Sequence, residues 1–191
     1  MADYKVLVPF ILGWEGGIDN DKDDKGGYSN YGITYNTYKS LSLKVLAKEP
    51  NLEHFKELTK EEAALFIKHF FYKATGKNTI KSQKIAEAVT TWYWGSGILG
   101  LKQFQNLINS MEVANKLVSD GIIGWKTTRV VNSMNSNQLF IEMIKFRKNF
   151  FKDIVRRDSS QKKFLKGWLN RLNAFYLRHK TENDPNLKII E

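Results

Sequence analysis

Hydrophobic residues recur at helical spacing along most of the chain. An apolar stripe at positions i, i+3, i+4 and i+7 predicts an amphipathic helix over residues 3–14. The members of this stripe are Leu7, Phe10, Ile11 and Trp14. A capping box at residues 59–62 predicts the start of another helix, and comparable stripes predict helices that begin near residues 36, 83, 101, 113, 126, 137 and 160. The pattern therefore predicts a mostly α protein of about eight helices.

One segment interrupts the helical pattern. Residues 16–34 lack sustained periodicity and are rich in glycine and aspartate, so we expect a loop or a small hairpin there. No other run of residues predicts a strand. Any β-structure in this fold is therefore expected within that one segment.

The net charge of the chain is strongly positive. Its 191 residues include 30 Lys and Arg against 20 Asp and Glu, which gives a formal charge of +10. The basic residues concentrate in the last third, from Lys145 to Arg171. Such a charge favours nucleic acid, anionic lipid or an acidic wall polymer, although a solvated helix face explains the same residues. The absence of cysteine excludes disulfides and thiolate metal sites.

Glu15 lies where the first predicted helix meets Gly16 and Gly17. The negative end of the helix dipole and the apolar residues one turn earlier both favour the protonated form of a carboxyl group. A protonated carboxyl group is what general acid catalysis of glycosidic cleavage requires. The same three residues are also an ordinary way to end a helix, so the motif alone does not decide between the two roles.

The loop that follows contains candidates for the second carboxylate of such a reaction. Asp24 is the best placed, with Asp21 behind it, and either would act as a nucleophile or as a base for water. Ser29, Tyr31 and Thr34 add hydroxyl groups that could bind the substrate or an attacking water. A calcium-binding loop is an alternative, but the glycine and the glutamate that an EF-hand requires are missing.

Aromatic residues near position 90 are candidates for sugar binding. Trp92 could stack on a saccharide ring and Tyr93 could line a cleft, whereas core packing is the alternative for Trp92. Trp92 and Trp94 are two apart on the predicted helix and point to different sides, so both can hardly serve one groove. The histidines are scattered and no phosphate-binding loop is present, so no metal site and no cofactor is predicted.

The segment from Glu15 to Thr34 resembles a known family. Glu-Gly-Gly, Asn-Asp, Asp-x-Gly-Gly and Tyr-Gly-Ile-Thr follow one another as in the glycoside hydrolase family 108 muramidases, lysozyme-like peptidoglycan hydrolases common among phage endolysins and bacterial wall-lytic proteins. The resemblance implies that Glu15 is the catalytic acid and that Asp21 and Asp24 occupy the aspartate positions of the family. Ser29 stands where the family has a threonine and is assigned to the catalytic group, with Thr34 as the alternative for that role.

Motifs further along the chain resemble the peptidoglycan-binding region that follows this catalytic domain. They lie at residues 91–97, 120–127 and 164–171. The resemblance thus implies a lysozyme-like α+β fold with a catalytic region at 1–95, a helical peptidoglycan-binding region at 96–180 and a tail at 181–191.

We therefore predict a peptidoglycan hydrolase, a lysozyme-type N-acetylmuramidase that cleaves the β-1,4 bond between N-acetylmuramic acid and N-acetylglucosamine. The alternatives are a lytic transglycosylase, an inactive peptidoglycan-binding protein and a basic nucleic-acid binder. Peptidoglycan is the expected partner of a monomeric protein, without nucleic acid or membrane. No secretory signal or membrane-spanning run is apparent, so we expect synthesis in the cytoplasm and action in the periplasm or cell wall after release by a holin, a secretion system or lysis.

Overall fold

A computed structural model describes residues 1–14, 28–111, 113 and 116–190. Within these ranges the chain forms eight α-helices, one 3-10 helix and one two-stranded antiparallel sheet. The helices are α1 (Tyr4–Trp14), α2 (Tyr35–Leu46), α3 (Leu52–Lys56), α4 (Lys60–Ala74), α5 (Gln83–Ser110), α6 (Trp125–Ser133), α7 (Ser136–Arg157) and α8 (Lys162–His179). The strands are β1 (Ser29–Asn30) and β2 (Ile33–Thr34), and the 3-10 helix spans Ser159–Gln161. The predicted fold class, mostly α with a small hairpin before residue 35, is confirmed.

The chain divides into two compact units. The first unit comprises Asp3–Lys73, and the second comprises Met1–Ala2 together with Ala74–Glu191. In the described ranges, none of the helices is both long enough and apolar enough to cross a bilayer. The division at residue 95 that the sequence suggests remains a prediction.

The core of the first unit is largely aromatic. Tyr38 of α2, Phe55 of α3 and Phe66 of α4 are all fully buried. The ring of Tyr38 lies 5.3 Å from that of Phe55 and 6.3 Å from that of Phe66, measured between centroids. These three helices are therefore joined through one tyrosine, and burial of such large rings supplies most of the hydrophobic stabilisation at this point.

Side-chain caps fix where the helices of the first unit begin. The predicted capping box is present, since the amide of Glu62 donates to the Thr59 hydroxyl and the amide of Thr59 donates to Glu62 Oε2, both at 3.1 Å. The side chain of Asn51 caps α3 by accepting from the amide of His54. No helix was predicted at α3, because five residues are too few to show a helical period.

Three long helices build the second unit. Helix α7 packs against both α5 and α8, and Trp92, Phe140 and Tyr176 are fully buried within this unit. Helix α5 is interrupted at Gly97, whose φ of 56° and ψ of −149° are not helical. Such angles are accessible to glycine and strained for other residues, so α5 consists of two helical segments that meet at a kink at this glycine, in agreement with the two helices predicted here.

The short helix predicted over residues 113–118 is wrong for the residues that the structure describes. Val113 and residues 116–118 are not helical. The side chain of Asn109 holds this segment instead, because its Oδ1 accepts from the amide of Leu117 at 2.7 Å and its Nδ2 donates to the Leu117 carbonyl at 2.8 Å. A side chain that pairs with both backbone groups of one residue competes with helical hydrogen bonding.

The glycine-rich motif that begins at Asp120 forms a tight turn. The buried side chain of Gln105 accepts from the amide of Gly121 at 2.7 Å and donates to the Ile122 carbonyl at 3.1 Å. Gly121 has a φ of 81°, and a Cβ atom there would lie 2.7 Å from Cδ1 of Ile98. The turn thus needs glycine for its backbone angles and for its contact with α5.

Candidate active site

Three of the predicted site residues lie outside the described residues. Glu15, Asp21 and Asp24 belong to the segment 15–27. The described structure ends on one side of this segment at Trp14, the last residue of α1, and resumes on the other at Tyr28. The side chain of Trp14 is 41% exposed, so an aromatic ring next in sequence to the predicted acid is accessible to solvent.

The hairpin that follows carries three of the predicted hydroxyl groups. Ser29 pairs with Thr34 across the two strands, and Asn30 pairs with Ile33. The two turn residues, Tyr31 and Gly32, have φ values of 50° and 73°. Two positive φ values define a two-residue turn of the type that matches the twist of a β-hairpin. Tyrosine is a bulky residue in this backbone region, and such strain is concentrated at functional sites in proteins.

Asn30 attaches the hairpin to α3. Its side chain is only 2% exposed, and its Nδ2 donates to the carbonyls of Phe55 at 2.9 Å and Lys56 at 3.1 Å. The base of the hairpin is closed by the amide of Tyr35, which donates to the Tyr28 carbonyl at 2.8 Å. The hairpin is therefore held at fixed backbone atoms of the first unit, which keeps Ser29 and Tyr31 in a defined position.

The hydroxyl groups on the hairpin have different surroundings. Thr34 is the N-cap of α2, because its Oγ1 accepts from the amide of Thr37 at 3.1 Å and donates to the hydroxyl of Thr37 at 2.9 Å. The half-buried hydroxyls of Ser29 and Tyr31 have no hydrogen-bond partner among the described residues. A hydroxyl that lacks such a partner is available to a substrate or a water molecule, whereas the Thr34 hydroxyl already serves the helix.

An ionic network connects α3 to α4. Glu62 Oε1 contacts Nζ of Lys48 at 2.8 Å and Nε2 of His54 at 2.9 Å, and the other ring nitrogen of His54 lies 2.7 Å from the Tyr38 hydroxyl. Burial of the Glu62 carboxyl raises its pKa, but the hydrogen bonds from Lys48, Thr59 and His54 outweigh burial and lower the pKa from 4.5 to about 2. The charge of Glu62 therefore helps to hold α3, which in turn holds the hairpin.

The structure places the two aromatic candidates on α5 in the second unit. Trp92 is 0% exposed, and its ring lies 5.6 Å from that of Phe146. This position favours the core-packing alternative for Trp92. Tyr93 is half-buried, and desolvation raises the pKa of its hydroxyl. The described residues thus bring Ser29, Tyr31 and Thr34 together on one hairpin and place Trp92 and Tyr93 on a separate compact unit.

Two features of functional interest were missed at the sequence level. One is the exposure of Trp14, which had been expected on the buried face of α1. The other is Arg147, which is only 7% exposed although it belongs to a strongly basic segment. Its helical spacing from Phe140, Ile144 and Phe151 was a signal for burial in the sequence.

Across the described ranges no three His, Asp or Glu side chains are grouped to hold a metal ion, and the absence of a cofactor remains a prediction.

The helices and the hairpin together form a mostly α structure with a lysozyme-like fold. The chain is similar to the structure of Brucella abortus SagA, with a TM-score of 0.74, 23% identity and coverage of 92% of each chain. Similarity at this level of identity concerns the fold. Among the curated proteins none matches the sequence.

Family models give the identity of the two regions. Residues 8–97 match the model of glycosyl hydrolase 108, and residues 99–173 match that of a predicted peptidoglycan domain. The chain therefore consists of a glycosyl hydrolase 108 domain followed by a predicted peptidoglycan domain. The protein is a glycoside hydrolase, and its substrate is the peptidoglycan of the bacterial cell wall.

Proposed function

We propose that the protein is an N-acetylmuramidase that cleaves the β-1,4 bond between N-acetylmuramic acid and N-acetylglucosamine. Glu15 protonates the departing oxygen, and Asp24, assisted by Asp21, orients the water or stabilises the positive charge on the sugar ring. The observation that carries this proposal is the glycosyl hydrolase 108 match over residues 8–97, since that segment contains all three carboxylates.

The sequence that follows α1 supports the role of Glu15. Glu15 follows Trp14, the last described residue of α1, and precedes Gly16 and Gly17, which favour a helix end, so we infer that Glu15 lies at the negative end of the helix dipole. That dipole disfavours a carboxylate and so favours the protonated form that a general acid needs. The exposed ring of Trp14 offers an apolar face on which a sugar can stack beside the acid.

The hairpin supports the choice of Ser29 over Thr34 as the catalytic hydroxyl. Thr34 uses both its donor and its acceptor on Thr37, whereas the Ser29 hydroxyl has no partner in the described part of the chain. We propose that Ser29 binds the attacking water and that Tyr31 contacts the substrate from the turn. The contribution of Thr34 is then to start α2, and Tyr93 remains a predicted substrate-binding residue.

The central experiment compares the wild-type protein with Glu15→Gln on purified sacculi. Loss of turbidity measures wall cleavage, and mass spectrometry of the soluble products identifies the bond that was broken. Glu49→Gln is a matched control, because Glu49 is an exposed glutamate of the same compact unit and undergoes the same change in charge. We expect wild type and Glu49→Gln to clear the suspension and Glu15→Gln to lose at least a hundredfold in rate, the lower range of a general-acid contribution.

The products distinguish the proposal from its alternatives. A reducing end of muramic acid supports a muramidase, whereas anhydro-muramic products identify a lytic transglycosylase. A reducing end of glucosamine identifies a glucosaminidase. Binding to sacculi without clearance by any variant would identify an inactive wall-binding protein and would overturn the proposal.

The assignment of hydroxyl groups has its own test. Ser29→Ala should lower the rate of cleavage and leave the unfolding midpoint unchanged, whereas Thr34→Ser keeps the helix cap and should leave the rate of cleavage unchanged. If Ser29→Ala retains full activity, Ser29 has no part in catalysis.

We further propose that the protein acts as a monomer at the wall after release from the cytoplasm. Sedimentation would check the monomeric state, and cell fractionation would check the location.

A further inference from the structure

A groove of about 280 Å³ lies on the second compact unit, between α5 and α7. Gln103 of α5 contributes to its lining, and the other lining residues come from α7: Phe146, Asn149, Phe150, Asp153, Ile154 and Arg157. All of them fall within the predicted peptidoglycan domain. The groove has an apolar wall of two aromatic rings and one isoleucine, and polar groups at its other positions, which is the composition of sites for small organic ligands.

Several polar groups of the groove are available for a ligand. Asp153 forms an ion pair with Arg156, whereas no carboxylate within the described ranges pairs with Arg157. The side-chain amides of Gln103 and Asn149 make no hydrogen bond to another described residue. Arginine pairs carboxylates through two parallel hydrogen bonds, and amides pair with peptide groups, so these three side chains suit a ligand that contains both.

A buried cation lies behind the aromatic wall. Arg147 Nη1 donates to the hydroxyl of Thr91 at 2.9 Å, and the guanidinium lies over the rings of Trp92 and Phe151 at 5.7 and 5.9 Å. Its Nε is buried without a hydrogen-bond partner. Trp92 connects this cation to the groove, because the ring of Trp92 also contacts that of Phe146.

The charge of Arg147 is not neutralised by any carboxylate among the described residues. Burial lowers the pKa of its guanidinium to about 9, and repulsion from Arg171 adds to this effect. The group is still positive at neutral pH, and a buried charge without a counter-ion costs several kcal/mol. An anion bound in the adjacent groove would recover part of that cost, because charges interact strongly at low dielectric.

The charge of the surrounding helices also favours an anionic ligand. Residues 136–179 contain eleven Lys and Arg against three Asp and Glu, a net formal charge of +8. Most of the positive charge of the protein therefore lies on the two helices that follow α6. An anionic ligand would be attracted to this region before it reaches the groove.

We propose that this groove binds the stem peptide of peptidoglycan, with Arg157 pairing a peptide carboxylate and Gln103 and Asn149 bonding peptide groups. The inference rests on the proposed function. Stem peptides carry carboxylates, amide groups and small apolar side chains, which match Arg157, the two amides and the aromatic wall. In the repeating disaccharide the lactyl carboxyl of muramic acid is used in the amide bond to the stem peptide, and the remaining hydroxyl and acetamido groups leave Arg157 and the buried Arg147 without an anion. Arg147 is a positioning residue, because it does not line the groove and acts on the ligand only through the electrostatic field of its charge.

The test measures binding of three soluble probes to the full-length Glu15→Gln protein by calorimetry. The probes are a stem tetrapeptide, the same peptide with its carboxylates converted to carboxamides, and a tetramer of N-acetylglucosamine. We expect the tetrapeptide to bind and Arg157→Gln to weaken it about tenfold, which corresponds to the loss of one charge-assisted hydrogen bond. Arg129→Gln, an exposed arginine on α6, is the matched control and should leave binding unchanged.

A second variant tests the effect of the buried charge of Arg147 and keeps the arginine itself in place. Thr91→Asp places a carboxylate beside Arg147 and should weaken binding of the tetrapeptide severalfold, while the carboxamide peptide should bind weakly to every variant. The inference is overturned if the tetrapeptide does not bind, if Arg157→Gln behaves like Arg129→Gln, or if the sugar tetramer binds with the same sensitivity to Arg157. Clearance of sacculi by the wild-type protein is measured separately, so a failure of the proposed muramidase activity remains distinguishable from a failure at the groove.

Discussion

Replacement of Glu62 by glutamine provides a quantitative test of the network that supports the hairpin. In the folded protein the pKa of Glu62 is lowered from 4.5 to about 2, because the hydrogen bonds from Lys48, Thr59 and His54 outweigh the effect of burial. A shift of one pKa unit corresponds to about 1.4 kcal/mol, so the full shift sets an upper limit of about 3 kcal/mol. The Glu62 side chain is 16% exposed but Lys48 is 54% exposed, and we therefore expect a loss of about 2 kcal/mol in the free energy of unfolding.

The pH dependence follows from the direction of the shift. A carboxyl group whose pKa is lowered on folding contributes stability that is fully present above the unfolded pKa of 4.5. That contribution is lost as the pH falls from 4.5 through about 2. The wild-type protein should therefore exceed Glu62→Gln in stability at pH 7, and the difference should shrink towards zero near pH 2.

Urea unfolding followed by circular dichroism at pH 7 and at pH 2.5 measures both quantities. Glu49→Gln serves again as the control, since Glu49 is exposed and belongs to the same compact unit. An equal difference between wild type and Glu62→Gln at both pH values would refute the argument, because the glutamine would then act through packing or capping and not through charge. A difference below about 0.5 kcal/mol at pH 7 would show that the network contributes no more than an exposed ion pair.

Three further substitutions test other features of the fold. Asn30→Ala removes one buried and one partly buried hydrogen bond and should lower the free energy of unfolding by about 2 kcal/mol, with faster hydrogen exchange in the hairpin than in the second unit. Thr34→Ala removes the cap of α2 and should cost about 1 kcal/mol in urea unfolding, whereas Thr34→Ser should cost less than half of that. Gly121→Ala places a side chain at a φ of 81° and against Ile98, and it should lower the thermal midpoint by several degrees, corresponding to about 1–2 kcal/mol.

The sequence predicts a helix correctly where the spacing of the apolar residues and the capping residues indicate the same element. The capping box at Thr59 and the apolar stripe of α1 both correspond to observed helices, although the stripe overstates the burial of Trp14. The segment 113–118 has helical spacing, but Asn109 pairs with the backbone of Leu117, and periodicity does not reveal such a contact between a side chain and the backbone. Local pattern thus predicts elements well where no side chain from outside the element competes for their backbone.

The sequence predicts which types of side chain belong to the candidate site better than it predicts the role of each side chain. A threonine before a helix can cap it or bind a ligand, and only the contacts of Thr34 with Thr37 reveal capping. Arg147 belongs to a basic segment in which most residues are expected to be solvated, and its burial depends on contacts with Thr91 and Trp92 far away in sequence. The chemistry of a side chain can therefore be predicted from the sequence, whereas its assignment to substrate or to structure requires the fold.

The kink at Gly97 has a consequence for how this enzyme can evolve. The boundary between the two family matches falls at residue 98, inside α5, whereas the whole of α5 belongs to one compact unit. Recombination at that boundary would cut α5 next to its kink and would separate Trp92 from its contact with Phe146. A new region after this boundary would have to supply a partner that packs on Trp92, so the two regions are expected to change together.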